Sequence, residues 1–507
     1  DAAERALATM GEEEHPNAPG ASDGTGPRKV SQATLLVNIA RERAEFWRTP
    51  DCDLFATVDI NDHREHLRLA SKQFKQWLAH VALGAMGRAV GAGPLRDATG
   101  ALEGVARYEG AEHRTFTRVA SVGGSVHIDL CDARWRAVEI DRNGWRIVDR
   151  PPVRFERRAA MVALPEPMRD GSIAELRDHV RIADDSWPLV AGWLIGALAP
   201  QGPYPVLVLR GQHGAGKSHG ARRLRSLIDP SIAPIRCEPR EPRDLVISAR
   251  ASHVVALDNL SSVPGWLSDG LCRLATGGGY AARALYTDAD EIVIDVQRPV
   301  ILTGITDVVT APDLLDRSLL VDLEAIAPED RETERRLDER WLAAHPRILG
   351  ALYTAVSMAL SRRDTLNLER LPRLADWAAW ATAGEPALSL PAGAVVAALD
   401  GQAEEATEIA LDASIIARPI CNWLATRVDP TWVGTAADLL AALSNHVDLA
   451  VARDKAWPRN GRGMASALAR IAPALGKCGV AVERLRRGSG GVRDGRGWRL
   501  ERPGDRA

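Results

Sequence analysis

The sequence predicts an α/β fold: a phosphate-loop module set between an N-terminal α+β domain and a C-terminal winged-helix domain. Three observations lead there. The run PVLVLRGQHGAGKS (205–218) is an apolar strand entering a loop of the form G-x-x-x-x-G-K-[ST]. Apolar strands alternate with helical stretches for about 120 residues after it. The last 95 residues read as three helices followed by two strands around a glycine-rich turn.

The 507 residues suit about three domains at ~150 residues each. With 46% hydrophobic residues there is enough apolar material for ordinary cores, and the net charge of −3 gives the whole chain no affinity for a polyanion. The charge is unevenly spread. Residues 451–507 carry fourteen Lys/Arg and five Asp/Glu, a net of +9, against −12 for the rest, which points to a local polyanion site. The six cysteines (Cys52, Cys131, Cys237, Cys272, Cys421, Cys478) are scattered without a C-x-x-C pair. That argues against a zinc site or a disulfide framework and for a reducing cytoplasm. No apolar run reaches the ~18 residues of a membrane span, and no signal peptide is visible. The chain opens on Asp1 rather than Met, as a piece of a longer protein would.

In chain order, residues 1–30 are rich in Gly, Pro, Glu and Ala without periodicity and read as a disordered leader. Residues 31–165 read as the α+β domain. There DLFATVDI and HREHLRL form strands about an Asn61-Asp62 turn, and the amphipathic KQFKQWLAHVAL follows as a helix. Asp59 and Asp62 in VDIND resemble the paired acids of a primase or polymerase metal site; with no third ligand in context, they read as hairpin-turn residues. Residues 166–345 form the phosphate-loop domain, 346–412 a helical connection and 413–507 the basic winged-helix domain.

The phosphate loop itself is Gly211, Gln212, His213, Gly214, Ala215, Gly216, Lys217 and Ser218. Glycines let backbone N–H groups curl around phosphate oxygens, and the following helix turns its positive end toward them. Lys217 is placed to bridge the β- and γ-phosphates and the Ser218 hydroxyl to bind Mg²⁺, so ATP and Mg²⁺ are the expected ligands. A second, acidic strand is needed for the metal, and HVVALDN (253–259) supplies Asp258. Asn259 stands where many ATPases place a second acid as general base, and an amide cannot take that proton. Thr303, near the end of the strand VILTGI, is placed either to sense the γ-phosphate or simply to pack in a strand. Arg317, in PDLLDRSLLVDL, either reaches a neighbouring subunit's phosphates or pairs with Asp313 or Asp316.

The phosphate loop, VVALDN, the stretch GGGYAARALYTDADEIVIDVQRPVIL and LLDR follow in an order that resembles the superfamily 3 helicase type of AAA+ ATPase. The nearest likeness is to the primase-helicase-like ATPases of phages and integrative mobile elements, over roughly residues 170–360. The resemblance implies a ring, often a hexamer, with ATP held between neighbours and a hairpin facing a channel that grips single-stranded DNA. The sequence departs from the family at Asn259 and at Thr303-Gly304-Ile305, where a sensor asparagine is usual. The hairpin tip, Asp288 to Glu291, is acidic, leaving Arg283 and Arg298 as its nearby cations. In the C-terminal domain Arg459 and Arg462 border the third helix, and Arg486, Arg487, Arg493 and Arg496 lie in the wing; together they would neutralise DNA phosphates. The expected function is an ATP-dependent DNA helicase or translocase in replication of a phage or mobile element. The alternative is an ATP-switched protein that assembles on DNA with little unwinding.

Overall fold

A computed structural model of the chain describes residues 30–278, 280–283, 291–294, 296–304, 308–368, 370–485 and 497–502. The expected leader, the hairpin residues Asp288 to Asp290, Ile305 and the wing arginines Arg486, Arg487, Arg493 and Arg496 lie outside them. The chain divides into two compact units. The first takes the residues up to Glu139 with Arg146–Ala159, the second Ile140–Trp145 with Ala160–Ala507.

The first unit opens on the helix Gln32–Arg43, whose start is fixed by the Ser31 side chain accepting from the Thr34 N–H. Strands β1 (Ala44–Arg48), β2 (Leu54–Ile60) and β3 (His63–Arg68) follow, and with β4 (Ala111–Glu112) make a sheet in the order β3-β2-β1-β4. The β2–β3 pairing runs antiparallel from Phe55↔Arg68 to Ile60↔His63. Asn61 takes φ 50° in the turn between them, a left-handed geometry that Asn tolerates better than most residues. The helices Lys72–Met86 and Ala92–Tyr108 bury Phe74, Leu78 and Leu102 with Leu36, Phe46 and Val58 in one core. A short pair, β5 (Thr115–Phe116) with β10 (Arg154–Phe155), and a sheet β6 (Val119–Val122), β7 (Ser125–Asp129), β8 (Ala137–Asp141), β9 (Gly144–Val148) complete the strands of this region.

The second unit is built on a parallel sheet of β11 (Val206–Arg210), β12 (Val255–Leu260), β15 (Val300–Gly304) and β16 (Ser318–Asp322), in the order β12-β15-β11-β16. VLVLR and VILTG are buried at every position, as strands covered on both faces must be. Helices Lys217–Ile228, Pro242–Ala251 and Gly265–Thr276 connect or flank these strands. Between the third helix and β15, β13 (Tyr280–Arg283) pairs antiparallel with β14 (Glu291–Ile294), from Tyr280↔Ile294 to Arg283↔Glu291. The long helix Glu334–Arg362 carries Pro346 inside it, and the Pro346 carbonyl accepts from the Met168 N–H at 2.8 Å. The chain presses so close there that a Cβ on Gly350 would meet the Met168 carbonyl oxygen at 1.6 Å.

Toward the C-terminus come the helices Ala394–Asp412 and Ala417–Ala425, then β17 (Thr431–Thr435) and the helices Ala436–Ser444, Leu449–Arg453 and Gly461–Lys477. Strands β18 (Ala481–Arg484) and β19 (Gly497–Glu501) close a three-stranded antiparallel sheet in the order β17-β19-β18. The sequence shows two of these strands; β17 is added by the structure. A single apolar core runs from Val206, Val255 and Val300 through Ala410 and Ile420 to Met464, Leu468, Trp498 and Leu500. Among the described residues no helix is long and apolar enough to cross a membrane.

Candidate functional site

β11 ends at Arg210 and the loop Gly211–Gly216 turns the chain into the helix Lys217–Ile228. Gly214 (φ 82°) and Gly216 (φ 75°) hold left-handed backbone, and Gly216 is the helix N-cap, so the turn requires glycine there. The helix then packs closely against the segment after residue 178, since Gly220 would meet Val180 Cγ1 at 3.0 Å if it carried a Cβ. Lys217 folds back over the loop and donates to the carbonyls of Gly211 (2.7 Å) and Gln212 (2.9 Å). An ammonium resting on two carbonyls inside a glycine turn is a cation held ready over a concave row of N–H groups.

Ser218 and Asp258 come from different elements and meet. The Ser218 hydroxyl donates to Asp258 Oδ1 at 2.8 Å, across 40 residues of sequence. Thr303, buried on β15, donates to the same Oδ1 at 2.5 Å and accepts the Asn259 N–H at 2.9 Å. A hydroxyl has one proton, so Thr303 spends it on Asp258; its role here is to orient that carboxylate. Both hydroxyls take Oδ1, and Oδ2 has no partner among the described residues. A hydroxyl beside a carboxylate with one uncommitted oxygen is a hard-oxygen donor set of the kind Mg²⁺ takes, so Ser218 and Asp258 fit that ion.

Asn259 sits at φ 55° where the β12–β15 register shifts between Leu257 and Leu260. The bulge turns its exposed side chain away from the strand's regular alternation. The left-handed backbone explains the residue type: Asn and Asp tolerate it, whereas a longer acid would be strained there.

Arg317 lies just before β16 and donates Nη1 to the Asp313 carbonyl at 2.7 Å. The ion pair with Asp313 or Asp316 that would compete with a role at a neighbour is not formed among the described residues. Asp316 instead faces Lys477 (3.3 Å) and Arg373 (3.9 Å). The Arg317 Nε is buried without an acceptor among those residues.

Three further features are not apparent in the sequence. Arg210, 3% exposed at the mouth of the loop, grips Asp322 of β16 through Nε (3.1 Å) and Nη2 (2.7 Å) and Glu405 through Nη1 (2.7 Å). Burial works to lower its pKa, but the bonds to Glu405 and Asp322 raise it above the ordinary guanidinium value. Exposed Arg331 brings Nη2 to within 3.9 Å of where a Gly214 Cβ would stand, so a cation from the segment after β16 overhangs the phosphate loop. His219, in the first turn of the loop helix, is pushed down to about 4 by burial and by Arg223, whose Nε donates to its Nε2 at 3.2 Å. Its ring is therefore neutral.

The predicted DNA contacts divide. Arg298 is corrected: it is half-buried and donates to the carbonyls of Ala249 (2.9 Å) and Gln297 (3.0 Å), and desolvation lowers its pKa. A guanidinium tied to two carbonyls inside the fold is not a free phosphate ligand. Arg283 falls on β13, opposite Glu291 in the backbone ladder. Arg459, just before the helix Gly461–Lys477, and Arg462, in its first turn, are exposed; Asn460 caps the helix by accepting from the Gly463 N–H. Arg459 donates Nη2 to the carbonyls of Arg453 (3.2 Å) and Asp454 (2.8 Å). The helix itself is anchored at its far end, where Lys477 meets Asp316.

Residues 176–404 match the family of actinomycete integrative conjugative element replication proteins, and residues 416–506 match the C-terminal domain of RepA from the same elements. No curated protein is similar in sequence to this chain. Among solved structures, the C-terminal region (305–718) of NrS-1 in its apo form is 11% identical, with a TM-score of 0.38 over 94% of this chain and 99% of that one. An A-form apo structure of the NrS-1 C-terminal region is 11% identical, with a TM-score of 0.36 over 77% of this chain and 79% of that one. Likenesses at these TM-scores carry no argument. The two family matches, by contrast, together span well over half of the chain and include the loop, Asp258, Thr303, Arg317 and the basic C-terminal unit. Over those two stretches the chain is a replication protein of the integrative conjugative element type.

Proposed function

We propose that the protein is a ring-forming ATPase of the AAA+, superfamily 3 helicase-like type that remodels or unwinds DNA during replication of its element. The observation that carries this reading is the convergence of Ser218 and Thr303 on Asp258 Oδ1 beside a glycine turn capped by Lys217. Lys217 leaves the Gly211 and Gln212 carbonyls for the β- and γ-phosphates of ATP, and loop N–H groups receive the remaining oxygens. Ser218 and Asp258 hold Mg²⁺, which, when bound, neutralises charge developing on the phosphates. Arg317 completes the site of a neighbouring subunit. The order helix, strand, two principal helices and two strands in residues 417–501 supports a winged-helix unit that recruits DNA through Arg459 and Arg462.

The test is hydrolysis of ATP by the full chain with and without single-stranded or forked DNA. Stimulation by DNA, and loss of at least about a hundredfold in rate with Lys217→Ala, is expected. Hydrolysis unaffected by every DNA structure offered would remove the remodelling role.

A second reading is favoured by one observation. Asn259 offers an amide where a general base is expected, and its backbone N–H is committed to Thr303. On this reading ATP drives assembly on DNA with little turnover. Single-turnover hydrolysis in the assembled state decides: ordinary rates together with fork unwinding exclude the switch.

A further inference from the structure

The first unit contains a pocket of about 120 Å³ that the nucleotide site does not use, lined by Glu45, Arg64, His66, Trp135 and Arg150 among others. Its floor is a hydrogen-bond arrangement with one solution. The Thr57 hydroxyl oxygen lies 2.9 Å from Trp47 Nε1, 2.7 Å from Arg154 Nη1 and 2.9 Å from His66 Nδ1. Indole and guanidinium nitrogens only donate, so they fill both acceptor positions of the oxygen. The one hydroxyl proton therefore goes to His66 Nδ1. That fixes His66 as the neutral tautomer with its proton on Nε2. Burial, with Arg154 next, pushes its pKa down to about 4 and keeps it so at neutral pH. Among the described residues no protein group accepts from Nε2, which leaves a fixed N–H donor on the pocket wall.

The rest of the wall supplies what an aromatic heterocycle needs. Trp135 is an aromatic residue held at φ 55°, a left-handed geometry that costs free energy in a residue of this size. Its ring is fixed by the Arg157 guanidinium over one face, 4.0 Å from the ring centroid, and by a near-perpendicular contact with the His66 ring, centroids 6.0 Å apart. Glu45 offers carboxylate oxygens that Arg154 holds in place at 2.8 and 3.0 Å. Exposed Arg64 and Arg150 lie at the rim and, among the described residues, share the exposed Asp59 at 3.3 and 3.9 Å. Such solvated pairs are weak and yield readily to a phosphate. At roughly 10–15 Å³ per water-sized group, the pocket has room for about ten non-hydrogen atoms. That is the size of a nucleobase, too small for the sugar and phosphate as well.

We propose that this pocket is a second nucleotide site, taking a nucleobase against Trp135 and the His66 Nε2–H, with the attached phosphate at Arg64 and Arg150. A base brings ring or carbonyl acceptors for the His66 N–H and N–H donors for Glu45, and stacking on an aromatic ring is indifferent to base identity. The nucleotide can come from a single DNA strand or from the free pool.

The experiment uses the full chain carrying Lys217→Ala, so that the phosphate loop does not compete, and a short single strand containing 5-bromodeoxyuridine. After irradiation the crosslinked peptides are mapped, with and without an excess of unlabelled deoxynucleoside monophosphates. Crosslinking to the peptide containing Trp135 is expected. It should fall about tenfold with Trp135→Ala, as loss of one stacking partner implies, and several-fold with the Arg64→Ala, Arg150→Ala double variant, whose exposed side chains the fold does not need. Protection by monophosphates assigns the site to free nucleotides, and crosslinking without protection assigns it to the strand. Crosslinks confined to other regions, with no monophosphate binding measurable by calorimetry, overturn the site, whatever the fate of ATP hydrolysis.

Discussion

Replacing Thr303 by Val removes two hydrogen bonds while nearly keeping the shape of the side chain. The Asp258 carboxylate then loses one of its two hydroxyl donors and the Asn259 N–H loses its acceptor, at a cost of about 1–3 kcal/mol. The expected outcome is a rise in the Mg²⁺ concentration needed for hydrolysis, restored by Thr303→Ser; an unchanged Mg²⁺ dependence would mean Thr303 does not orient Asp258. The bulge decides how to test the missing base. Asn259→Asp suits φ 55° and is the variant expected to raise single-turnover hydrolysis, whereas Asn259→Glu would also strain the backbone. Arg331→Ala is expected to raise KM for ATP several-fold within its own subunit. Arg317→Ala is expected to be rescued on mixing with Lys217→Ala subunits, and no rescue would place its action in cis. At this scale the sequence is readable where the chemistry is local: the loop specifies its own turn because its three glycines fall within the six residues Gly211–Gly216. Arg331 and Arg210 were not readable, because their positions at the loop depend on strands more than a hundred residues apart. Arg298 misleads because nothing in QRPV says that Ala249, 49 residues earlier, will offer it a carbonyl.

At the scale of elements, the helix Glu334–Arg362 and the segment near Met168 are locked by a contact that admits no side chain. Gly350→Ala must move one against the other and is expected to cost about 3 kcal/mol or more, read as a lowered denaturant midpoint. A midpoint equal to the parent's would show that the contact gives easily. The parallel strands were legible because VVAL, VLVL and VIL are unbroken apolar runs, and only a doubly covered strand calls for that. β17 was not, because TWVGT is short, half-exposed and paired only through β19, sixty-odd residues later. In the expected hairpin the described residues pair as two antiparallel strands, Tyr280–Arg283 and Glu291–Ile294.

For the whole molecule, three histidines couple folding to pH. Burial is the leading cause that pushes His66, His219 and His345 down to about 4 from an ordinary 6.5. The unfolded chain binds protons below about pH 6.5 while the fold excludes them until about pH 4. Stability from these groups is therefore complete above pH 6.5, is lost as pH falls from there to 4, and changes no further below. Thermal midpoints measured between pH 7 and 4 should decline through that window; a flat profile would contradict buried neutral rings. The packing of the C-terminal helices is not legible at this scale either. Amphipathic faces look alike whatever covers them, and only the three-dimensional arrangement shows that the helices after Asp412 pack on one another and on the helices Ala394–Asp412 and Pro312–Leu315, in one buried cluster with the sheet.

That continuous core has a consequence for how such a protein can change by recombination. The C-terminal segment cannot be exchanged between relatives as a free cassette. Met464, Leu468, Trp498 and Leu500 belong to the same buried cluster as Val206 and Val300. An exchanged segment arrives with side chains cut for another core, and each mismatch leaves a cavity or an overlap. Crossovers that preserve folding are therefore those in which residues that meet within the cluster travel together.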